Sequence, residues 1–282
     1  MASATQERIK PGISGVTETM LVTLAARAAD AASPSPLLND RWAKDVMSHV
    51  DYKPKMNANF VRIVTLRARL LDTWATEFLD VNPDATVLQL ACGLDSRALR
   101  LSPGRRVRWI DVDLPDVVEL RKRLLAAPSD NYTLVASSVL EQAWLDAIPT
   151  DRPVLVIAEG LLQYLEPADV QRLFRRLCRH FTCGEVIFDA IGSLHLRLQA
   201  WRGPIRNTGA VYHTAIDSAD DFVEALPGMA VRNVLQVWQW PGMQFDSFLM
   251  RLLVWVLLCI PGMRTYFSAH RYSFGAVGST RP

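Results

Sequence analysis

The chain has 282 residues, and half of them are hydrophobic, which is enough for a large buried core in one or two domains. Its 31 Lys and Arg residues nearly balance 29 Asp and Glu residues, so the formal net charge is only +2. This balance argues against an electrostatic nucleic-acid binder, which concentrates basic residues on one face. The Arg-rich stretches 121–125 and 175–180 have helical patterns and are interpreted mainly as solvated helix faces.

The composition also bears on location and on metal binding. The N-terminal residues contain no apolar segment of the kind found in a signal peptide, and the apolar run 252–260 is far shorter than the ~20 residues of a membrane helix. The four cysteines, at positions 92, 178, 183 and 259, lack the spacing of a metal site or a disulfide framework. We therefore predict a cytoplasmic protein with free thiols, no transmembrane segment and no bound metal.

The predicted elements change character along the chain. Residues 17–80 carry helical patterns, which predicts a helical N-terminal cap over residues 1–80. Short, almost continuously apolar runs then alternate with helical stretches, as is typical of strands covered on both faces of a mostly parallel sheet. The strand candidates are 87–91, 107–112, 132–136, 154–158 and 185–191. A further strand is predicted at 231–240, and a final strand or an irregular end from 273.

These elements predict a single domain over residues 1–282. Its α/β core, residues 84–282, is expected to be a doubly wound, mostly parallel, Rossmann-like sheet. Residues 195–245 are predicted to form an insertion that covers the substrate as a lid.

The residues after the first two predicted strands indicate a nucleotide-type ligand. In an open parallel sheet, ligands bind at the carboxyl ends of the strands. In VLQLACGLDSR, residues 87–97, Gly93 allows a tight turn and a close approach of the backbone to a ligand. Asp113 follows the second strand twenty residues later, near the spacing at which an acid accepts hydrogen bonds from a ribose diol. The alternative is that Asp113 merely caps the helix that begins near Leu114.

The single glycine discriminates between cofactors. A dinucleotide site uses several glycines to bring the backbone against a pyrophosphate, whereas S-adenosylmethionine has no phosphate. Its anionic end is a carboxylate, which an arginine can bind through two hydrogen bonds. The turn therefore favours S-adenosylmethionine over NAD. Glu159, at the end of a buried predicted strand, needs a cationic partner, either the cofactor or a nearby arginine.

Four blocks of sequence together resemble the leucine carboxyl methyltransferase family, in particular its tetracenomycin-type polyketide O-methyltransferases. The blocks are LRARLLD (66–72), QLACGLDSRALRL (89–101), IDVDLPDVVELRKRLL (110–125) and VIAEGLLQYLEP (156–167). The resemblance covers about residues 17–191. It implies a methyltransferase that uses S-adenosylmethionine and releases S-adenosylhomocysteine.

The resemblance also implies roles for individual residues. Arg67 matches the arginine that binds the cofactor carboxylate, and Gly93 matches the turn glycine beneath the methionine moiety. Asp113 matches the ribose-binding acid, and Glu159 matches the acid after the fourth strand.

Two features depart from the family pattern. The Asp-Leu pair beside the adenine falls on Ser138 and Val139, so the family's charged acceptor is replaced by a neutral hydroxyl. The lysine that leucine carboxyl methyltransferases proper carry near the N-terminus is missing from residues 17–28. Its absence favours a small-molecule acceptor over a protein C-terminus.

The predicted reaction is in-line attack of an acceptor oxygen on the sulfonium methyl group. A carboxylate is already anionic at neutral pH, whereas a phenol, with a pKa near ~10, needs a base or a nearby positive charge. The candidate catalytic residues are Tyr164 and His213. The alternatives are that Tyr164 only packs its ring and that His213 is an exposed loop residue without a role.

We therefore predict an S-adenosylmethionine-dependent O-methyltransferase that acts on a carboxylate or phenol of a polyketide-like small molecule. A protein carboxyl methyltransferase, an NAD-type oxidoreductase and a non-catalytic binding protein with this fold are the alternatives. The sequence leaves open whether the protein forms a homodimer.

Overall fold

The computed structural model describes Ile9, Gly12 and residues 15–198, 208–226, 228–243 and 248–275. The helices predicted before residue 80 are present as α1 (Thr19–Ala31), α2 (Arg41–His49) and α3 (Ala58–Val81). Helix α3 begins where the side chain of Asn57 accepts a hydrogen bond from the backbone N–H of Phe60 at 2.8 Å. Its apolar stripe, which includes Leu71 and Trp74, packs in one cluster with residues of the sheet.

Seven strands of the described chain form one sheet in the order β3-β2-β1-β4-β5-β7-β6. Strands β1 to β5 are parallel, and β7 lies antiparallel between β5 and β6. The strands are β1 (Thr86–Leu90), β2 (Arg108–Asp113), β3 (Tyr132–Ala136), β4 (Val154–Ala158), β5 (Cys183–Ile191), β6 (Met229–Gln236) and β7 (Phe267–Gly275). The predicted α/β class with a mostly parallel, Rossmann-like sheet is confirmed.

The continuously apolar runs reflect burial on both faces of the sheet. Leu155 and Ile157 of β4 pack in the cluster that contains α3, whereas Val154 and Val156 pack in a second cluster on the opposite face. The remaining described helices are α4 (Arg97–Leu101), α5 (Pro115–Leu124), α6 (Ala143–Asp146), α7 (Pro167–His180), α8 (Ser193–Arg197), α9 (Ala219–Glu224) and α10 (Phe248–Leu258).

The predictions for the C-terminal third need correction. The strand predicted over 231–240 ends at Gln236, and a short 3-10 turn follows over Val237–Gln239. The last strand begins at Phe267 rather than at 273, because its polar residues find partners inside the sheet. The ring of His270 lies within 2.8 Å of the Ser268 hydroxyl and 2.9 Å of the Tyr272 hydroxyl, and Arg271 pairs with Glu185.

The predictions about a membrane segment, the apolar run 252–260 and the lid have different outcomes. None of the described helices is long and apolar enough to cross a membrane. Helix α10 overlaps the apolar run 252–260 and exposes Leu252, Trp255 and Val256. The lid predicted over 195–245 falls partly outside the described residues, at 199–207, 227 and 244–245, and stays a prediction.

Candidate cofactor site

A cavity of about 260 Å³ lies at the carboxyl ends of β1, β2 and β4. The structure brings seven of the eight candidate site residues to its wall: Arg67, Gly93, Asp113, Ser138, Val139, Glu159 and Tyr164. The N-terminal part of α1 closes another side through Thr19, Met20 and Thr23. Residues more than 130 positions apart in sequence therefore meet in one place, as an open parallel sheet requires.

The glycine turn and the end of β2 are joined by a direct hydrogen bond. Gly93 has φ +50°, a conformation that favours glycine, and its N–H donates to Oδ2 of Asp113 at 2.6 Å. The N–H of Leu114 donates to the other carboxylate oxygen at 2.7 Å. Burial raises the pKa of Asp113, and these two N–H groups oppose that rise. Each oxygen keeps a second lone pair that can accept a hydrogen bond from a ligand hydroxyl.

Arg121, which was predicted to lie on a solvated helix face, holds the turn after β1 in place. Arg121 is only 3% exposed, and its Nη1 donates to the carbonyl oxygens of Gly93, at 2.9 Å, and Asp95, at 2.7 Å. Its Nη2 donates to Asp111 at 2.6 Å. The interpretation of 121–125 as solvated is therefore wrong at Arg121. Sequence spacing could have indicated the burial of Arg121, because it lies four residues after the buried Val117 and therefore on the same helix face.

Glu159 lies between two arginines. Its Oε1 accepts from Nε of Arg67 at 3.0 Å, and its Oε2 accepts from Nη2 of Arg97 at 2.5 Å. Burial opposes ionisation of Glu159, but the two guanidinium groups outweigh it, and the pKa of the carboxyl is lowered. Arginines thus supply the cationic partner that the sequence required.

Arg67 has a second acid partner. Its Nη1 donates to Asp189 at 3.0 Å, and burial raises the pKa of that carboxyl. Two donor atoms of Arg67 are thereby engaged by the protein, and its Nη1 and Nη2 lie beside the backbone of Gly160 in the cavity wall.

The arginines belong to a larger buried cluster of charges between the N-terminal helices and the turn after β1. Arg97 has no exposed surface and bonds Asp72 of α3 at 2.6 Å as well as Glu159. Arg100 bonds the same Asp72 and also Asp95 at 2.8 Å. The cluster is completed by Arg27 and Asp40, which form an ion pair at 3.2 Å. It fixes α3, and with it Arg67, against the end of β1.

Two buried acceptors in the cavity wall have no donor in the described structure. They are Oε1 of Gln89, which is 2% exposed, and Oε1 of Gln163, which is 6% exposed. An unpaired buried acceptor is unfavourable, typically by about 1–3 kcal/mol. The ammonium group of S-adenosylmethionine carries three N–H donors, so the cavity offers acceptors that such a ligand can satisfy.

Ser138 and Val139, which were predicted to lie beside the adenine, both line this cavity. Oγ of Ser138 accepts a hydrogen bond from the N–H of Leu140 at 3.2 Å, and the side chain of Val139 is buried. Neither contributes a negative charge, as expected from the sequence.

The two candidate catalytic residues have different environments. Tyr164 lies in the cavity wall, its ring edge-on to Tyr212 with 5.4 Å between centroids. Burial raises the pKa of Tyr164, so its hydroxyl keeps its proton and is a donor rather than a base. The side chain of His213 is 39% exposed, and its Nδ1 lies 2.8 Å from Glu166. His213 is not part of the cavity wall, and the geometry gives no support to its assignment as a base.

Known proteins resemble this chain in sequence and in fold. A family model, Leucine carboxyl methyltransferase, matches residues 20–178. The chain is 41% identical to the tetracenomycin polyketide synthesis O-methyltransferase TcmP of Streptomyces glaucescens, over 93% of this chain and 98% of that one. It is 37% identical to the S-adenosyl-L-methionine-dependent methyltransferase dpfgK of Gibberella zeae, over 83% of this chain and 86% of that one.

A solved structure supports the fold independently. A SAM-dependent methyltransferase from Anabaena variabilis superposes with a TM-score of 0.51 at 15% identity, covering 89% of this chain and 95% of that one. The sheet and the relatives together define an S-adenosylmethionine-dependent methyltransferase with a Rossmann-like fold. The chain belongs to the leucine carboxyl methyltransferase family.

Proposed function

We propose that this enzyme methylates a carboxylate oxygen of a small, polyketide-like acid. The observation that carries this proposal is the cavity at the carboxyl ends of β1, β2 and β4, whose described wall contains acceptors for a cofactor but no available base. The relative from Streptomyces glaucescens is named for tetracenomycin polyketide synthesis, which supports an acceptor of that general kind.

The cavity wall would hold the cofactor through five groups of contacts. Asp113 would accept hydrogen bonds from the ribose diol, and Gly93 would let the chain pass close to the methionine moiety. The amides of Gln89 and Gln163 accept from the ammonium group. Arg67, which Glu159 and Asp189 orient, would bind the carboxylate, and Ser138 and Val139 would contact the adenine. When bound, S-adenosylmethionine supplies an activated methyl group on a sulfonium.

The protonation states favour an acceptor that is already anionic. Glu159 is held ionised between Arg67 and Arg97, so its affinity for a proton is low. Tyr164 keeps its proton and can donate a hydrogen bond to an acceptor oxygen. A carboxylate needs no proton removed, whereas a phenol with a pKa near ~10 does. The chain would then contribute orientation and the exclusion of water.

The proposal extends to the compartment in which the enzyme acts and to its oligomeric state. We expect the enzyme to act in the cytoplasm on a small molecule, with no nucleic-acid partner. A homodimer would cover the apolar side chains that α10 exposes, among them Trp255, which is 64% exposed. Light scattering across a concentration series tests the assembly separately from activity.

A matched pair of acceptors tests the chemistry. Anthracene-2-carboxylate and 2-hydroxyanthracene share an apolar body and differ in the acceptor oxygen, and each is incubated with methyl-labelled S-adenosylmethionine. The proposal predicts an alkali-labile methyl ester from the acid, with a kcat that is independent of pH between about 6 and 9. An alkali-stable ether formed in preference to the ester would contradict it. The variant Tyr164→Phe should retain ester formation with a raised KM.

A further inference from the structure

A second cavity, of about 730 Å³, lies near the amino ends of the strands. Its floor is the face of β2 and β3 that carries Ile110 and Thr133, which are paired in register, and Val135. Helix α5 covers the opposite face, where Arg121 reaches Asp111 and Tyr132. Helix α6, which follows β3, has only four residues, and on this floor Thr133 is exposed and Val135 half-buried, whereas Ile110 is buried. The volume falls within the roughly 300–1,000 Å³ of small-molecule sites.

Four arginines stand around this floor: Arg105, Arg106, Arg108 and Arg152. We call the cavity the arginine groove. Asp151 accepts from Arg108 at 2.9 Å and from Arg152 at 3.2 Å, so these two guanidinium groups are partly neutralised. No salt bridge joins Arg105 or Arg106 to a carboxylate of the described chain. Asp84 and Asp130 also line the groove, so the four arginines and the three aspartates, with Asp151 included, carry a net charge of +1.

A buried donor in the wall also lacks a partner. Trp144 is 6% exposed and lines the groove, and its Nε1–H has no acceptor in the described structure. A buried indole N–H is normally hydrogen-bonded, and its other neighbours in the hydrophobic cluster, such as Leu145 and Ile148, have apolar side chains. A ligand oxygen in the groove would satisfy it.

We propose that the arginine groove binds a small organic anion with a flat apolar body, such as an aromatic carboxylate. Arg105 and Arg106 would bind the anionic group, because planar guanidinium groups match the geometry of a carboxylate. The apolar body would cover Val135 and the exposed Pro149, and a second oxygen would accept from Trp144. An inorganic anion would leave the apolar floor exposed, so the groove favours the organic ligand. This site is separate from the cofactor cavity, which lies at the other end of the strands.

Calorimetric titration with three probes tests the chemistry of the ligand. They are 2-naphthoate, 2-naphthol and inorganic phosphate, each titrated into the full-length protein. The proposal predicts binding of 2-naphthoate that is about tenfold tighter than that of either other probe, and that weakens as salt is added. Equal binding of 2-naphthol would show that the charge is not used, and equal binding of phosphate would show that the floor is not used. Either result would overturn the proposal.

Three variants locate the site. Arg105→Ala/Arg106→Ala removes two exposed charges and should weaken 2-naphthoate binding about tenfold. Lys122→Ala/Arg123→Ala removes two exposed charges from α5, on the opposite face of the same strands, and should leave the affinity within about twofold. Trp144→Phe keeps an aromatic ring without the N–H donor and should weaken binding about threefold, with the fold checked by circular dichroism. If Arg105→Ala/Arg106→Ala binds like wild type, 2-naphthoate sits elsewhere and the proposal is wrong.

Discussion

The backbone N–H of Gly93 donates a hydrogen bond to Oδ2 of Asp113 at 2.6 Å, across twenty residues of sequence. This bond ties the turn after β1 to the end of β2, the two chain segments that line the cofactor cavity side by side. The carboxylate therefore has a role within the protein itself. It fixes the glycine turn, and we propose that its remaining lone pairs accept hydrogen bonds from the ribose.

Replacing Asp113 by asparagine should weaken the binding of S-adenosylhomocysteine by at least about tenfold. An amide offers one acceptor oxygen instead of two, and its NH2 group cannot accept from a diol. Calorimetric titration of both proteins measures the change. The control is Asp116→Asn, which removes an exposed carboxylate three residues along the chain and should bind like wild type. Equal affinity of Asp113→Asn and wild type would contradict the proposed ribose contact.

The variant Gly93→Ala should lose about 1–2 kcal/mol of unfolding free energy, because an alanine at φ +50° is strained. The added Cβ would also lie 3.1 Å from Cβ of Met20, which is tight. The matched control is Gly104→Ala, whose added Cβ would meet no atom of the described residues within 4 Å. Its stability should stay within about 0.5 kcal/mol of wild type. Urea unfolding measures both, and equal effects of the two substitutions would be evidence against a strained turn.

Arg97→Met should destabilise the fold by about 3–5 kcal/mol, because it leaves Asp72, Asp95 and Glu159 as buried carboxylates without their shared cation. The control Arg108→Ala breaks a partly exposed pair with Asp151 and should cost less than about 1 kcal/mol. Chemical unfolding at pH 7 compares the two. A loss below about 1 kcal/mol for Arg97→Met would mean that the buried cluster contributes little to stability.

Asp95 makes stability depend on pH in a defined direction. Burial opposes its ionisation, but Arg97, Arg100 and Arg27 outweigh burial and hold its pKa well below the usual range. The unfolded chain then binds the proton more readily. The contribution of Asp95 is therefore complete above its unfolded pKa of about 3.9 and is lost as pH falls through the folded pKa.

The unfolding free energies of wild type and Asp95→Asn should consequently converge as pH falls from about 5 to 3. Urea unfolding across this range measures the difference. A neutral change in the adjacent helix, Ala98→Gly, should lower stability by the same amount at every pH. A constant difference for Asp95→Asn would show that Asp95 is not the group responsible.

Much of the fold could be predicted from local pattern. The run 154–158 coincides with β4, since a strand buried on both faces leaves an uninterrupted apolar signal. The run 132–136 coincides with β3, although that edge strand is only partly buried. The last strand was harder to delimit, because His270 and Arg271 make it look polar. Their partners, Ser268, Tyr272 and Glu185, neutralise that polarity only in the folded sheet.

The sequence predicts the individual residues of the site, but not the hydrogen bonds and ion pairs among them. Spacing and resemblance placed Gly93, Asp113 and Glu159 in one cavity. No local signal could reveal that Arg97 bridges Asp72 and Glu159, because the three residues are widely separated in sequence. The same holds for the amide oxygens of Gln89 and Gln163, which find no donor among the described residues because of how the folded chain packs around them.

A crystal structure of the complex with S-adenosylhomocysteine tests the proposed site most directly. We predict that both ribose hydroxyls lie within about 3.2 Å of the Asp113 carboxylate and that the amino group lies within that distance of Gln89 or Gln163. A ligand bound away from the carboxyl ends of β1 and β2, with Asp113 bonded only to Gly93 and Leu114, would contradict the assignment of this cavity.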